Sequence, residues 1–299
     1  MKCANCDSDD TYVKIILTIA TTVVVMMTSL VFVDTLSVSP IDNTQNISFI
    51  IRIQGNATDP YEYSTFPPST LITTSLWNLK YGRGNTTMEI YENSSIHTIS
   101  HYTGIRTYAD TVVGYPSVQF SNNKLIPTST FNKNYSSYTS FDFVGTTLLL
   151  PVDCAYDIWF TNNTTNLQPD AEVMIWLYWS VTLEQTTSQN HVSIPTTVNG
   201  VKINLTWYVE KEYCDNHDYP TYVFIPSLFP LPRMSYGIQL STFIADIQHL
   251  GADLNHSYVK SIDIGTEFGS PFFEAEYCSV WFNSYLVVNG QKETILGGN

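Results

Sequence analysis

At 299 residues the chain could hold two average domains, but all-β sandwiches often reach roughly 200–250 residues as one, so one domain plus an anchor is expected. A formal net charge of −14 argues against nucleic acid as a ligand. Charged residues are 13% of the chain against a typical figure of about 25%, while Tyr alone numbers 20, so the surface relies on hydroxyls and amides, and with few ion pairs for acid to undo an acidic habitat is expected.

Along the chain, residues 1–12 form a short tail carrying Cys3 and Cys6, a C-x-x-C pair that reads as a thiol pair because no second pair or histidine cluster stands near it. Residues 13–34 enclose an uncharged apolar run, 15–33, about long enough to cross a bilayer, with Lys2 and Lys14 on its amino side. The run exceeds the usual signal-peptide core of about 7–15 residues and VDTLSVSP offers a poor cleavage site, so an uncleaved signal-anchor is expected, with a cleaved signal peptide as the alternative. Either places the rest outside the cell, membrane-anchored or secreted, with the lipid bilayer a partner through 15–33.

Residues 35–68 are rich in Ser, Thr, Asn and Pro and read as a stalk-like linker, although Ser48–Ile53 has the pattern of a short strand. Sequons at Asn46, Asn56, Asn85, Asn93, Asn134, Asn162, Asn163, Asn204 and Asn255 fit a glycosylated extracytoplasmic face. The domain proper is expected over 69–299. From Leu71 onward, short alternating runs such as TTMEIYE, TSFDFVGTTLLL, AYDIWF and VKINLTWYVE are separated by Gly, Asn, Pro and Ser clusters, the pattern of an antiparallel sandwich. One helix interrupts it: Leu240, Phe243, Ile244, Ile247 and Leu250 follow helical spacing, and Gly251 stands where a C-cap belongs. Of Cys154, Cys214 and Cys278 at most two can pair, and spacing leaves the choice open.

Two strands carry the chemistry. In EVMIWLYWSV, residues 172–181, a lone carboxylate opens an apolar aromatic run; period two puts Glu172, Met174, Trp176 and Tyr178 on one face and Val173, Ile175, Leu177 and Trp179 on the other. In SIDIGTEF, residues 261–268, Ile262, Ile264 and Phe268 share one side, with Asp263, Gly265 and Glu267 opposite. Two glutamates on two strands suggest glycoside hydrolysis. The six histidines show no HExxH, the 215–218 cluster reads as a polar loop, and no G-x-S-x-G elbow is present, so no metal or cofactor is expected.

These segments resemble glycoside hydrolase family 12, endo-acting β-1,4-glucanases whose nucleophile opens an E-[LVI]-M-I-W-L segment and whose acid/base lies in G-T-E-x-F or a close variant. Glu172 falls on the first position and Glu267 on the second, beside Gly265 and Thr266. The family's A-Y-D run is similar to Ala155-Tyr156-Asp157, its Leu-Trp to Leu76-Trp77-Asn78, and a Tyr-Pro segment to Tyr115-Pro116-Ser117. The resemblance implies a β-jelly roll of two curved antiparallel sheets with the helix packed on the outer one. It further implies a retaining mechanism with Glu172 as nucleophile, Glu267 as acid/base and Asp157 hydrogen-bonded to Glu172; Asp153 competes with Asp157 for that role. Two carboxyls about 5–5.5 Å apart would supply the proton and the nucleophile that a retaining enzyme needs.

Sugar rings pack their C–H faces on aromatic planes, so Trp77, Trp207 and Trp159 are candidate subsites. Met174 and Trp176 continue the face of Glu172, and Asn78 and Tyr115 are candidates to bind sugar hydroxyls. The expected activity is internal hydrolysis of cellulose-like or mixed-linkage β-glucan by a monomer, and the alternative is a carbohydrate-binding adhesin or lectin without catalysis.

Overall fold

The computed structural model describes residues 48–67, 70–108, 112–120, 125–144, 152–180, 190–212, 219–228, 230–269 and 275–296. The 1–12 tail, the apolar run 15–33, Cys214 and the 215–218 loop lie outside them. Among the described residues no helix is long and apolar enough to cross a membrane.

Strands alternate with tight turns throughout. They are β1 (Phe49–Gly55), β2 (Tyr63–Phe66), β3 (Thr70–Thr73), β4 (Leu79–Tyr91), β5 (Ser95–Thr107), β6 (Val112–Gly114), β7 (Ser117–Phe120) and β8 (Ile126–Pro127). After helix α1 (Thr128–Asn134) come β9 (Tyr135–Phe143), β10 (Asp153–Thr161), β11 (Ala171–Trp179), β12 (His191–Val198), β13 (Val201–Glu212), β14 (Thr221–Pro226) and β15 (Arg233–Gln239). Helix α2 (Leu240–His249) leads to β16 (Tyr258–Gly265), β17 (Phe268–Gly269), β18 (Ala275–Val288) and β19 (Gln291–Thr294). The ladder starts upstream of the expected domain boundary: β1 pairs with β4 and β2 with β3, so both belong to the sandwich although they fall in the stretch read as a linker.

One continuous ladder folds back on itself into two layers. The outer layer runs β1–β4–β5–β18–β9–β15, and the inner layer runs β12–β13–β14–β11–β10–β16–β7–β3–β2. They join where Thr197 and Val198 of β12 pair with Gly237 and Tyr236 of β15. All these pairings are antiparallel except β11–β14, which is parallel and sets Glu172 beside Thr221. Period-two alternation sends one side of each layer into a shared core. Val280, Phe282 and Leu286 of β18 meet Val173, Ile175, Ile158 and Phe160 of the inner layer there, all fully buried. A polar rivet crosses the core, where the Tyr156 hydroxyl meets Ser284 Oγ at 3.0 Å and Thr139 Oγ1. Each fully buried large apolar side chain contributes about 1.5–3 kcal/mol.

Helix α2 forms as its spacing predicts, burying Leu240, Phe243, Ile244 and Ile247. It ends at Gly251, whose φ of +92° suits glycine; the amides of Gly251 and Ala252 return to Gln248 O and Ile247 O at 3.1 and 3.0 Å. The Phe243 ring stands edge-on to Trp207 and Phe224 at 5.0 and 4.9 Å, so the helix covers the back of the inner layer rather than resting on the outer layer alone. Helix α1 was not expected from spacing; Thr128 Oγ1 ties its start to Ser257 O at 2.7 Å. Cys154 and Cys278 are both buried, Cys154 as a free thiol.

Candidate active site

The concave face of the inner layer gathers the carboxyls. In the ladder, Asp157 of β10 lies opposite Met174 of β11 on one side and Asp263 of β16 on the other. One step along, Trp159 lies between Glu172 and Ser261. Strict alternation leaves Tyr156, Ile158, Val173, Ile175, Ile262 and Ile264 to the core. A bulge interrupts this near the end of β11, where Cys154 opposes Tyr178 but Ala155 opposes Trp176. The extra residue turns Tyr178 into the core, stacked 4.3 Å from Phe143, and returns Trp179 to the cleft side opposite Asp153. Tyr178 therefore does not share the face of Glu172, contrary to a strict period of two.

Glu172 is buried, and its Oε2 accepts a hydrogen bond from Thr221 Oγ1 at 2.9 Å. Glu267 follows β16 and is half-buried. Its placement depends on Gly265: a Cβ there would lie 2.4 Å from Pro116 O and 2.8 Å from Ser117 Cβ, so only glycine lets β16 run this close to β7. Beyond it, Thr266 N donates to Pro116 O at 3.3 Å, and Glu267 N donates to Asp153 Oδ1 at 3.2 Å.

Asp157 is the hub. Burial pushes its carboxyl well above the ordinary range, and the charges of Glu172, Glu267, Asp153 and Asp263 push it the same way, in that order. Its Oδ1 is buried without a hydrogen-bond partner. Burial also raises Asp263, but Ser261, Lys260, Trp159 and Gln119 restrain the shift and the group settles at about 7. Gln119 Nε2 donates to its Oδ2 at 3.1 Å. Among the described residues no group of His, Cys, Asp and Glu has the arrangement of a metal site.

Of the aromatic candidates, Trp77 is 43% exposed and open to a ligand, whereas Trp176 is half-buried with its indole N–H buried and unpartnered, and Met174 is half-buried between Glu172 and Trp176. Trp159 stands edge-on to Tyr219 at 6.1 Å and, with Gln119, Lys260 and Asp263, lines a cavity of about 560 Å³. Trp207 is not a subsite. It is fully buried, donates from Nε1 to Thr196 Oγ1 at 3.3 Å and anchors α2, because its strand position faces the core. Asn78 is buried, donating to Val112 O at 2.6 Å and accepting from Tyr108 N at 2.9 Å. Tyr115 is buried with its hydroxyl donated to Ala155 O at 2.8 Å. These two brace the backbone instead of offering polar atoms to a sugar.

Three residues of the face were not singled out as site residues: Asp263, Gln119 and Thr221. Alternation in SIDIGTEF had set Asp263 on the side of Glu267. Nothing local marks Gln119 or Thr221, since their places follow from the β7–β16 register and the parallel β11–β14 pairing.

A two-layer β-sandwich with several acids gathered on one face of its inner layer has the groups that glycoside hydrolysis uses, although the fold alone does not fix the activity. The sequence profile of Glycosyl hydrolase family 12 matches residues 68–283, and the chain belongs to that family. It is therefore a glycoside hydrolase, which sets aside the adhesin reading. Solved structures share the fold. Trichoderma harzianum endoglucanase 3 of family GH12 is 17% identical with a TM-score of 0.59, over 81% of this chain and 98% of its own. A Bacillus licheniformis family 12 xyloglucanase is 18% identical with a TM-score of 0.59, over 80% and 100%. A Rhodothermus marinus endoglucanase, cel12A, is 17% identical with a TM-score of 0.56, over 81% and 100%. No curated protein matches the chain by sequence.

Proposed function

We propose that the protein is a retaining endo-β-1,4-glucanase acting on cellulose-like or mixed-linkage glucans outside the cell. The observation that carries this reading is that Glu172 of β11 and Glu267, just past β16, flank β10, the strand between them that carries Asp153 and Asp157. Glu172 is the nucleophile. Its Oε attacks the anomeric carbon while the bond to the leaving oxygen breaks, and Glu267 gives that oxygen its proton. Water then attacks the same carbon, passes a proton to Glu267 and releases Glu172. Asp157, held protonated by burial and by the Glu172 charge, answers to the ionisation of Glu172, and Thr221 fixes the orientation of Glu172. Trp77, Trp176 and Trp159 supply the stacking and hydrogen-bonding surface for successive sugar rings.

The test uses small anions. With Glu267→Ala, an activated aryl β-glycoside still loads Glu172, and added azide yields the β-glycosyl azide. With Glu172→Ala, azide occupies the vacated space and gives the α product. The opposite anomers, or near-normal hydrolysis by either variant, would return Asp157 and Asp263 to consideration as catalytic groups.

A further inference from the structure

The concave face holds more acids than two-carboxylate chemistry uses, and one of them is bound to Glu267 by reciprocal contacts. Asp153 N donates to Glu267 O at 3.1 Å, Glu267 N donates to Asp153 Oδ1 at 3.2 Å, and Val152 bridges to Phe268. Asp153 Oδ1 is thereby fixed against the Glu267 backbone, and the charge of the Glu267 carboxyl acts on it. Asp153 is 2% exposed, so its carboxyl answers to Glu267 and not to solvent. Other titratable groups around it are Asp157 on its own strand, the Cys154 thiol next in sequence and the Tyr115 phenol. None of these is a cation.

Resting on the roles just proposed, we infer that Asp153 is a positioning residue that shares a proton with Glu267 and so sets the pH range in which Glu267 serves as acid. The division of labour is then one aspartate per glutamate, Asp157 with Glu172 and Asp153 with Glu267. When the pair carries a single proton, that proton lies between the two carboxyls and is withheld from the leaving oxygen. When the pair carries two, the Asp153 proton makes the hydrogen bond between the carboxyls and Glu267 donates its own. Delivery leaves Asp153 protonated and Glu267 ionised but still hydrogen-bonded, a stabilised monoanion. The attacking water then returns the proton to Glu267. Burial and the Glu267 charge both hold the Asp153 carboxyl well above its ordinary range, which keeps it protonated through this cycle.

The test is the pH–rate profile of kcat/KM for the full-length protein and for Asp153→Asn, on soluble β-glucan and on an aryl glycoside whose leaving group needs no proton. An amide donates the same hydrogen bond but cannot share a proton, so the basic limb on β-glucan should move to higher pH by about one unit. For the aryl substrate the glycosylation step should keep its profile. An unmoved basic limb, or an equal shift on both substrates, overturns the inference. If Asp153→Asn does not fold, ¹³C titration of the wild-type carboxyls decides: Asp153 and Glu267 should each report two coupled steps, and independent single steps overturn it. Glu267→Ala run in parallel keeps the two claims apart. Near-normal turnover of β-glucan by that variant would sink the acid/base assignment itself, whereas a dead Glu267→Ala beside an unmoved Asp153→Asn profile would sink only the role of Asp153.

Discussion

The two layers of the sandwich treat carboxyl groups in opposite ways. On the outer layer, Glu89 is largely buried between Arg52, Tyr91 and His97; burial pushes its carboxyl up, yet the Tyr91 and Arg52 hydrogen bonds and the Arg52 charge outweigh it and the net direction is down. Asp142 is likewise paired with Arg233. On the concave face, Asp153, Asp157 and Asp263 are buried beside other acids, and all three are raised. A carboxyl with a cation nearby is a structural ion pair, whereas acids buried together must hold protons, and held protons are what general acid chemistry draws on.

The sharpest break in this comparison is catalytic. Replacing Glu172 or Glu267 by Ala should lower kcat on β-glucan by about three powers of ten or more, while replacing Glu89 should leave kcat unchanged; equal effects would dissolve the distinction. Next comes stability against pH. A raised carboxyl binds its proton in the native state where the unfolded chain has lost it, so its contribution is full below about pH 4 and is lost as pH rises toward the folded value. For Asp263, moved from 3.8 to about 7, the difference amounts to about 4 kcal/mol. Urea unfolding should therefore show stability falling between pH 4 and 7, and Asp263→Asn should flatten that slope.

A smaller effect is expected at Asp157, where Asn keeps the fold but removes the titratable carboxyl beside both glutamates, moving the pH–rate profile by about one unit. An unmoved profile would mean that Asp157 is merely structural. Smallest is the outer pair: Arg52 is 55% exposed, so Arg52→Ala should cost less than about 1 kcal/mol in thermal unfolding, and less again in high salt. With Glu89 lowered, whatever stability it adds is present above its unfolded pKa and lost as pH falls through the folded one, the reverse of Asp263.

Legibility followed the range of the interactions. Period two placed Glu172, Met174 and Trp176 on one face, because alternation is a property of a single strand, whereas Glu267 lies past the end of β16, where Gly265 and the contact with Asp153 set its place. Helical spacing and a terminal glycine found α2 for the same reason. The same reasoning failed at Tyr178, because a bulge depends on the partner strand, and at Trp207, because alternation separates two faces without saying which one the helix will cover.

By itself, then, the sequence determined a β-sandwich, the family and two candidate glutamates, all carried by local periodicity and short contiguous motifs. The tertiary structure alone decided which acids stand together. Pairing between strands distant in the chain brings Asp157 beside Asp263 and Glu172 beside Thr221, and sets Asp153 against Glu267. A carboxyl's proton affinity follows from the water it loses and the charges it meets, and both are set by long-range register.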